Sequence, residues 1–221
     1  MPNPIGTLEC RYPPSGAAME NAGKLSLAVL MAILWLVSLT VDAVAQKKAS
    51  TVFEHVHALA IDPTGETLYL GAHTGLFRSA DGGRSWKKMI VSSKYAHIDL
   101  MSIAIDPKDG RAIYVATHEA GVLKSGDGGL TWKEMNKGLL GVDVHGLTLD
   151  ANTPLKLYAA VREKGDGIYR TTDGGVKWTR AADGPEGEVK TLASVNISSG
   201  AGGIFLYAAT SLGLQRSPDC F

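Results

Sequence analysis

Histidine and aspartate side chains recur at matching places along this sequence. The stretches VHALAIDP, LMSIAIDP and VHGLTLDA align on Asp62, Asp106 and Asp150. That alignment gives two mostly polar positions near the start of each stretch, and a third position follows four residues after a tyrosine. These positions hold His55, Asp99 and Asp143; His57, Met101 and His145; and His73, His118, Arg162 and Ser211. Because residues two apart on a strand face the same way, we expect these side chains to converge.

This set has the donor types of a transition-metal site. Imidazole is a common ligand for zinc, and a carboxylate completes many such shells. His57 and His145 are the candidate metal ligands, and Asp99 or Asp143 could complete the shell. Two alternatives stay open, because no compact metal-spacing motif is present. The histidines could contact a ligand or partner, or they could be solvated loop residues repeated by duplication.

Glycoside hydrolysis is the enzymatic chemistry to consider. It requires two carboxylates on opposite sides of a bond, roughly 5–10 Å apart. Asp99 and Asp143 are the candidate catalytic pair, and Glu119 is a further candidate. Acids at strand ends are also ordinary solvated residues. The sequence has no G-x-S-x-G, Walker or H-E-x-x-H motif, so we expect a protein without catalytic activity and keep a glycoside hydrolase as the alternative.

The elements that must position these residues come from a repeat. A regular period of 46 residues separates Asp81, Asp127, Asp173 and Asp219. Such a period with short strand patterns is typical of β-propellers, in which four strands form one blade. We predict an all-β propeller of three complete blades and an incomplete fourth, preceded by an N-terminal hydrophobic helix. The predicted blades span about 53–90, 97–136, 143–182 and 189–221.

The aspartate lies in the motif S/T-x-D-G-G-x-x-W, which predicts the turn between the third and fourth strands. The glycine pair can take positive φ values, and the aspartate can accept hydrogen bonds from turn amides. The tryptophan can fill the gap to the adjoining blade, so Trp132→Ala should cost about 3–5 kcal/mol at full burial. The motif positions are Ser79, Asp81, Gly83 and Trp86; Ser125, Asp127, Gly129 and Trp132; Thr171, Asp173, Gly175 and Trp178; and Ser217 and Asp219.

This motif resembles the Asp-box, or BNR, repeat, and the resemblance covers about residues 53–221. Propellers with this repeat include sialidases, xyloglucanases, sortilin-type receptor domains and photosystem II assembly factors. In that superfamily the box lies at the blade periphery, so we expect a ligand at the opposite, channel end. The sialidase Arg-Ile-Pro motif is absent from this sequence. The expected ligand-binding mouth contains His55, His57, His73, His118, His145 and Arg162.

The first 45 residues are predicted to direct export. Residues 25–41 carry no charge, and Ala43-Val44-Ala45 fits a signal-peptidase cleavage site. A retained membrane anchor is the alternative, since a spanning helix needs ~20 apolar residues. Met19 is a candidate true start, because it shortens the segment before the apolar run. In either case residues 46–52 form a linker, and the propeller is expected in the periplasm or outside the cell.

Charge and chain length limit the expected partners. Lys plus Arg and Asp plus Glu number 22 each, so no basic footprint for nucleic acid is present. Closed propellers generally have four to eight blades. The incomplete blade could be completed by sequence lost through truncation, by a second copy of the chain, or by the segment STVFEH as an outer strand. We predict a non-catalytic binding or assembly module for an envelope protein or a glycan, with no cofactor beyond the candidate transition metal.

Overall fold

The computed structural model describes residues 53–95, 97–196 and 203–217, which form fifteen β-strands in four sheets. These residues confirm the predicted all-β propeller of three complete blades and an incomplete fourth. The predicted hydrophobic helix, the export segment 1–45, the linker 46–52 and Asp219 lie outside the described residues. Within the described part of the chain, no helix is both long and apolar enough to cross a membrane.

Each blade is an antiparallel meander whose strands follow the chain order. Blade one contains β1 (Val56–Ile61), β2 (Leu68–Ala72), β3 (Gly75–Ser79) and β4 (Lys87–Lys88). Blade two contains β5 (Leu100–Ile105), β6 (Ile113–Thr117), β7 (Val122–Ser125) and β8 (Lys133–Glu134). Blade three contains β9 (Val144–Leu149), β10 (Leu157–Val161), β11 (Gly167–Thr171) and β12 (Thr179–Arg180). Blade four contains β13 (Val189–Asn196), β14 (Ile204–Thr210) and β15 (Gly213–Ser217).

The first strand of each blade is the inner strand, and the inner strands β1, β5, β9 and β13 pack against one another in chain order. Apolar clusters fill the gaps between successive blades. In each of the first three blades, a tyrosine on the second strand is buried against the blade that follows; these are Tyr69, Tyr114 and Tyr158. Burial of these clusters fixes the blades side by side and positions the inner strands around a central channel.

Each Asp-box forms the turn between the third and fourth strands of its blade. In the second box, Ser125 Oγ donates to Asp127 Oδ1 at 2.8 Å and accepts from the Gly129 amide at 2.8 Å. The Asp127 carboxylate accepts from the amides of Leu130 and Thr131 at 3.0 and 2.9 Å. Hydrogen bonds from Thr131 and then Ser125 lower the pKa of Asp127 to about 2. The aspartate therefore satisfies amides that the turn leaves unpaired.

The three box tryptophans are not equivalent. The Nε1 atoms of Trp86 and Trp132 donate to glycine carbonyls of their own turns, each at 3.1 Å. Nε1 of Trp178 instead donates to the Met135 carbonyl of the preceding blade at 2.7 Å. Trp178 is 2% exposed, whereas Trp132 is only partly buried, so the full-burial condition applies to Trp178. The fourth strands begin one residue after each tryptophan, at Lys87, Lys133 and Thr179.

Faces of the first and last described blades expose apolar side chains. Leu59 is 66% exposed on blade one, and Leu214 is 72% exposed on blade four. Phe53, the first described residue of the segment STVFEH, packs against Phe77 and Trp86 of blade one. Blade four has three strands within the described residues, and residues 50–52 of this segment lie outside them, so an outer strand supplied by the segment stays one of the predicted alternatives. Coverage of these faces by further chain or a second copy stays a prediction.

Candidate functional site: the channel mouth

The four inner strands line a cavity of about 470 Å³. Its lining includes Met101 of β5, Leu147 of β9 and Leu192 of β13, together with His57 of β1. The described Asp-box residues do not contribute to this lining. The cavity and the boxes are therefore separate features of the blades.

The same backbone hydrogen bond closes one end of every blade. It joins the residue just before the inner strand, as acceptor, to the residue just after the second strand, as donor. The donor and acceptor pairs are His73 with His55 at 3.4 Å, His118 with Asp99 at 3.2 Å, Arg162 with Asp143 at 2.8 Å and Ser211 with Glu188 at 2.9 Å. We call this end of the channel, with these eight residues and the four bulge residues described next, the channel mouth.

A β-bulge interrupts each inner strand at its second residue. The pairing with the second strand skips His57, Met101, His145 and Lys190. A bulge bends the strand and redirects the side chain of the unpaired residue. The strict alternation expected from the sequence is therefore interrupted at the mouth, and the bulge sets the direction of these four side chains.

Polar contacts join neighbouring blades around the mouth. At each step, a side chain at the end of the second strand contacts a carboxylate just before the inner strand of the next blade. His73 Nδ1 lies 2.9 Å from Asp99 Oδ2, His118 Nδ1 lies 2.7 Å from Asp143 Oδ1, and Arg162 contacts Glu188. The series brings the predicted mouth residues into one network that crosses four blades.

Three imidazoles surround the Asp99 carboxylate. Besides His73, His57 Nε2 lies 3.7 Å from Oδ1 and His118 Nε2 lies 3.7 Å from Oδ2. Asp99 is buried, and its Oδ1 makes no hydrogen bond. Burial lowers the pKa of His57, and the attraction of Asp99 opposes that shift. A buried carboxylate oxygen without a hydrogen bond costs stability, so Asp99 Oδ1 is available to a hydrogen-bond donor or a cation.

His145 occupies a different environment in blade three. Its side chain is 7% exposed, and its Nε2 lies 3.1 Å from Asp143 Oδ1. Arg162 Nη1 lies 3.0 and 2.9 Å from the two ring nitrogens. Burial lowers the pKa of His145 to about 4, against the opposing charge of Asp143. A guanidinium thus contacts both atoms through which this imidazole would bind a metal.

The other predicted residues lie around these contacts. The exposed ring of His55 is 4.9 Å from that of His73, and Glu119 Oε2 accepts from the Asp99 amide at 3.3 Å. A further histidine, His97, is exposed and belongs to neither group of potential metal ligands. Asp99 and Asp143, the candidate catalytic pair, both face imidazoles rather than open space.

Two mouth residues, Glu188 and Lys190, were not found from the sequence. Lys190 Nζ lies 2.6 Å from Glu188 Oε2, and Glu188 also contacts Arg162. The alignment missed them because Val195 stands where the other units have an aspartate at the end of the inner strand. The spacing could have identified Glu188, because it follows Asp143 by 45 residues and Asp143 follows Asp99 by 44.

Comparison with known sequences identifies proteins related to this chain. The family model of the Photosynthesis system II assembly factor YCF48 matches residues 46–206. Xyloglucanase Xgh74A of Acetivibrio thermocellus is 28% identical over 162 residues, which cover 58% of this chain and 19% of that protein. The chain therefore spans about a fifth of the length of this curated relative.

Solved structures share the fold at low sequence identity. The GH74 enzyme of Niastella koreensis superposes with a TM-score of 0.56 at 19% identity, over 76% of this chain and 29% of its own. A structure of YCF48 bound to D1 peptide gives 0.53 at 18% identity, over 73% and 50%. YCF48 from Cyanidioschyzon merolae gives 0.56 at 15% identity, over 76% and 54%. Since the family model matches well over half of its residues, this propeller belongs to the Photosynthesis system II assembly factor YCF48 family.

Proposed function

We propose that this chain is a non-catalytic binding module whose channel mouth holds an extended segment of a partner protein outside the cytoplasm. The observation that carries the proposal is the polar network that crosses four blades at the mouth. Location outside the cytoplasm rests on the export segment predicted for residues 1–45.

The network offers groups of both signs beside a cavity. Asp99, Asp143 and Glu188 can accept hydrogen bonds from a peptide backbone or from basic side chains. Arg162 and Lys190 can donate to backbone carbonyls or to acidic side chains. A cavity of about 470 Å³ next to these groups has room for side chains of such a segment. The YCF48 structure bound to a D1 peptide supports a polypeptide as the ligand class.

Peptide selection tests this proposal. A displayed library of unstructured peptides is selected on the immobilised 221-residue chain, and the affinity of enriched peptides is measured by fluorescence anisotropy. Thr191→Lys introduces a charge at an exposed position on the channel wall. We expect this variant to bind the enriched peptides at least tenfold more weakly, a loss of about 1.4 kcal/mol.

Val176→Lys is the matched control, since Val176 is 58% exposed in the third Asp-box, away from the cavity lining. We expect this variant to bind the peptides as the unsubstituted chain does. Equal weakening by both variants would show that the charge acts without regard to position. Unchanged binding by Thr191→Lys would place the peptide outside the mouth and contradict the proposal.

Glycoside hydrolysis is the second candidate function, because a xyloglucanase and GH74 enzymes are among the similar proteins. Asp99 and Asp143 would be its carboxylates, although imidazoles contact both. The test is release of reducing ends from xyloglucan and from a panel of other glycans. Activity lost in both Asp99→Asn and Asp143→Asn would favour the enzyme, and absence of hydrolysis across the panel would favour the binding module.

A further inference from the structure

A cluster of potential metal ligands that the proposed function does not explain lies where blade one meets blade two. The ring nitrogens of His57 and His73 and the carboxylate of Asp99 all lie within 4.8 Å of one another. We propose that these three residues bind one divalent transition-metal ion at the channel mouth. The site shares Asp99 with the proposed peptide-binding surface, and the two proposals are tested by separate measurements.

The donor set suits such an ion. Two imidazoles and one carboxylate are a common set for zinc and for other first-row metals, with remaining positions open to water or a ligand. His57 comes from the bulge of β1, His73 from the end of β2, and Asp99 from the residue before β5. Three separate backbone segments therefore deliver one donor each to the same point.

The contacts within this cluster leave the Asp99 carboxylate poorly satisfied. Asp99 Oδ1 is buried without a hydrogen bond, and Nε2 of His57 lies 3.7 Å from it. The rings of His57 and His73 have centroids 4.6 Å apart, so two adjacent imidazoles face one carboxylate. A divalent cation between these groups would use the unbonded oxygen and both nitrogen lone pairs.

The second group of potential ligands, His118, Asp143 and His145, is a weaker candidate. Arg162 Nη1 lies 3.0 and 2.9 Å from the ring nitrogens of His145. This positive charge would repel a cation, and it contacts the nitrogen that would bind the metal. By contrast, the ion-pair contacts described for Asp99 are all with imidazoles, of His57, His73 and His118. The structure therefore favours the site between blades one and two.

Zinc titration of the metal-stripped 221-residue chain tests the site, with the ion alone as the probe. Isothermal titration calorimetry is expected to give one zinc per chain. Loss of an outer-shell partner typically weakens metal binding 10–100-fold, so loss of the ligand in His73→Ala should weaken it at least ~100-fold. His97→Ala is the matched control, because it also removes an exposed histidine but lies outside the proposed site. It should bind zinc as the unsubstituted chain does.

Two further measurements separate ligand loss from misfolding and from adventitious binding. Asp99→Asn keeps the size of a buried side chain but should abolish tight binding and the zinc-dependent rise in melting temperature. Cobalt(II) should give the strong visible absorption of a four- or five-coordinate histidine site. Equal weakening by His97→Ala, or zinc lost in His145→Gln but retained in His73→Ala, would overturn the proposed site.

Discussion

Replacing Trp178 with alanine is expected to cost more stability than the same change at Trp132. Trp178 lies in the apolar cluster between blades two and three and is 2% exposed. Its Nε1 also donates to the Met135 carbonyl of the preceding blade at 2.7 Å. Trp132 is only partly buried, and its Nε1 bonds to Gly129 within its own turn. Trp178 therefore joins two blades, whereas the polar contact of Trp132 is local.

The expected magnitudes follow from these contacts. Truncation of a buried tryptophan costs about 3–5 kcal/mol, and a lost hydrogen bond that leaves a partly buried carbonyl unpaired adds about 1 kcal/mol. We expect a loss of about 4–6 kcal/mol for Trp178→Ala. Partial exposure should hold Trp132→Ala to about 2 kcal/mol. Trp178→Phe keeps much of the ring contact and should lose about 1–2 kcal/mol.

Urea denaturation followed by far-UV circular dichroism gives the three free energies of unfolding by linear extrapolation. This signal reports mainly backbone structure, so unfolding can still be followed after the indole is removed. Trp178→Phe supplies a measurable value if Trp178→Ala is too unstable to fold. Equal losses at Trp178 and Trp132, or a larger loss at Trp132, would refute the assignment of the inter-blade role to Trp178.

Two further predictions concern the mouth and the linker between blades two and three. Burial lowers the pKa of His145 from 6.5 to about 4 among Asp143, His118, Arg162 and Lys190. The unfolded chain therefore binds more protons in that window, so stability should fall by up to about 3 kcal/mol from pH 7 to pH 4. In urea denaturation at several pH values, this pH-dependent part of the loss should disappear in His145→Gln and persist in the exposed-site control His97→Gln. Gly138→Ala should cost more than about 2 kcal/mol, since Gly138 has φ +97° and a Cβ would lie 2.2 Å from the Trp178 carbonyl oxygen. Its control Gly184→Ala adds a Cβ with no atom within 4 Å, so its stability should stay close to that of the unsubstituted chain. Thermal denaturation of both variants measures the difference.

The fold could be predicted because its main signals are local and periodic. The turn between the third and fourth strands needs an acceptor for its amides and glycines at positive φ, as Asp127 and Gly129 illustrate. Those requirements act on a few consecutive residues, so each blade repeats them in its own sequence. The spacing between copies then indicates the number and bounds of the blades.

The candidate site was predicted only in part because its contacts join different blades. The register of the first three units brought together the residues that the structure places at the mouth. It could not show that a bulge sets the direction of His57, since the skipped pairing depends on the neighbouring strand. It also missed Glu188, because Val195 lacks the carboxylate that marks the end of the inner strand in the other units. Without that marker, β13 runs for eight residues rather than six.

The mouth and the box differ in what the backbone demands of their side chains. At the box, the aspartate side chain itself satisfies turn amides, as Asp173 does for the amide of Lys177 at 3.0 Å. At the mouth, the bond that closes each blade runs between main-chain atoms, so it holds equally for Ser211 with Glu188 and for His118 with Asp99. The closing bond therefore leaves the mouth side chains free to differ between blades. In the proposed function, those differences, rather than the repeated motif, set which ligand the mouth binds.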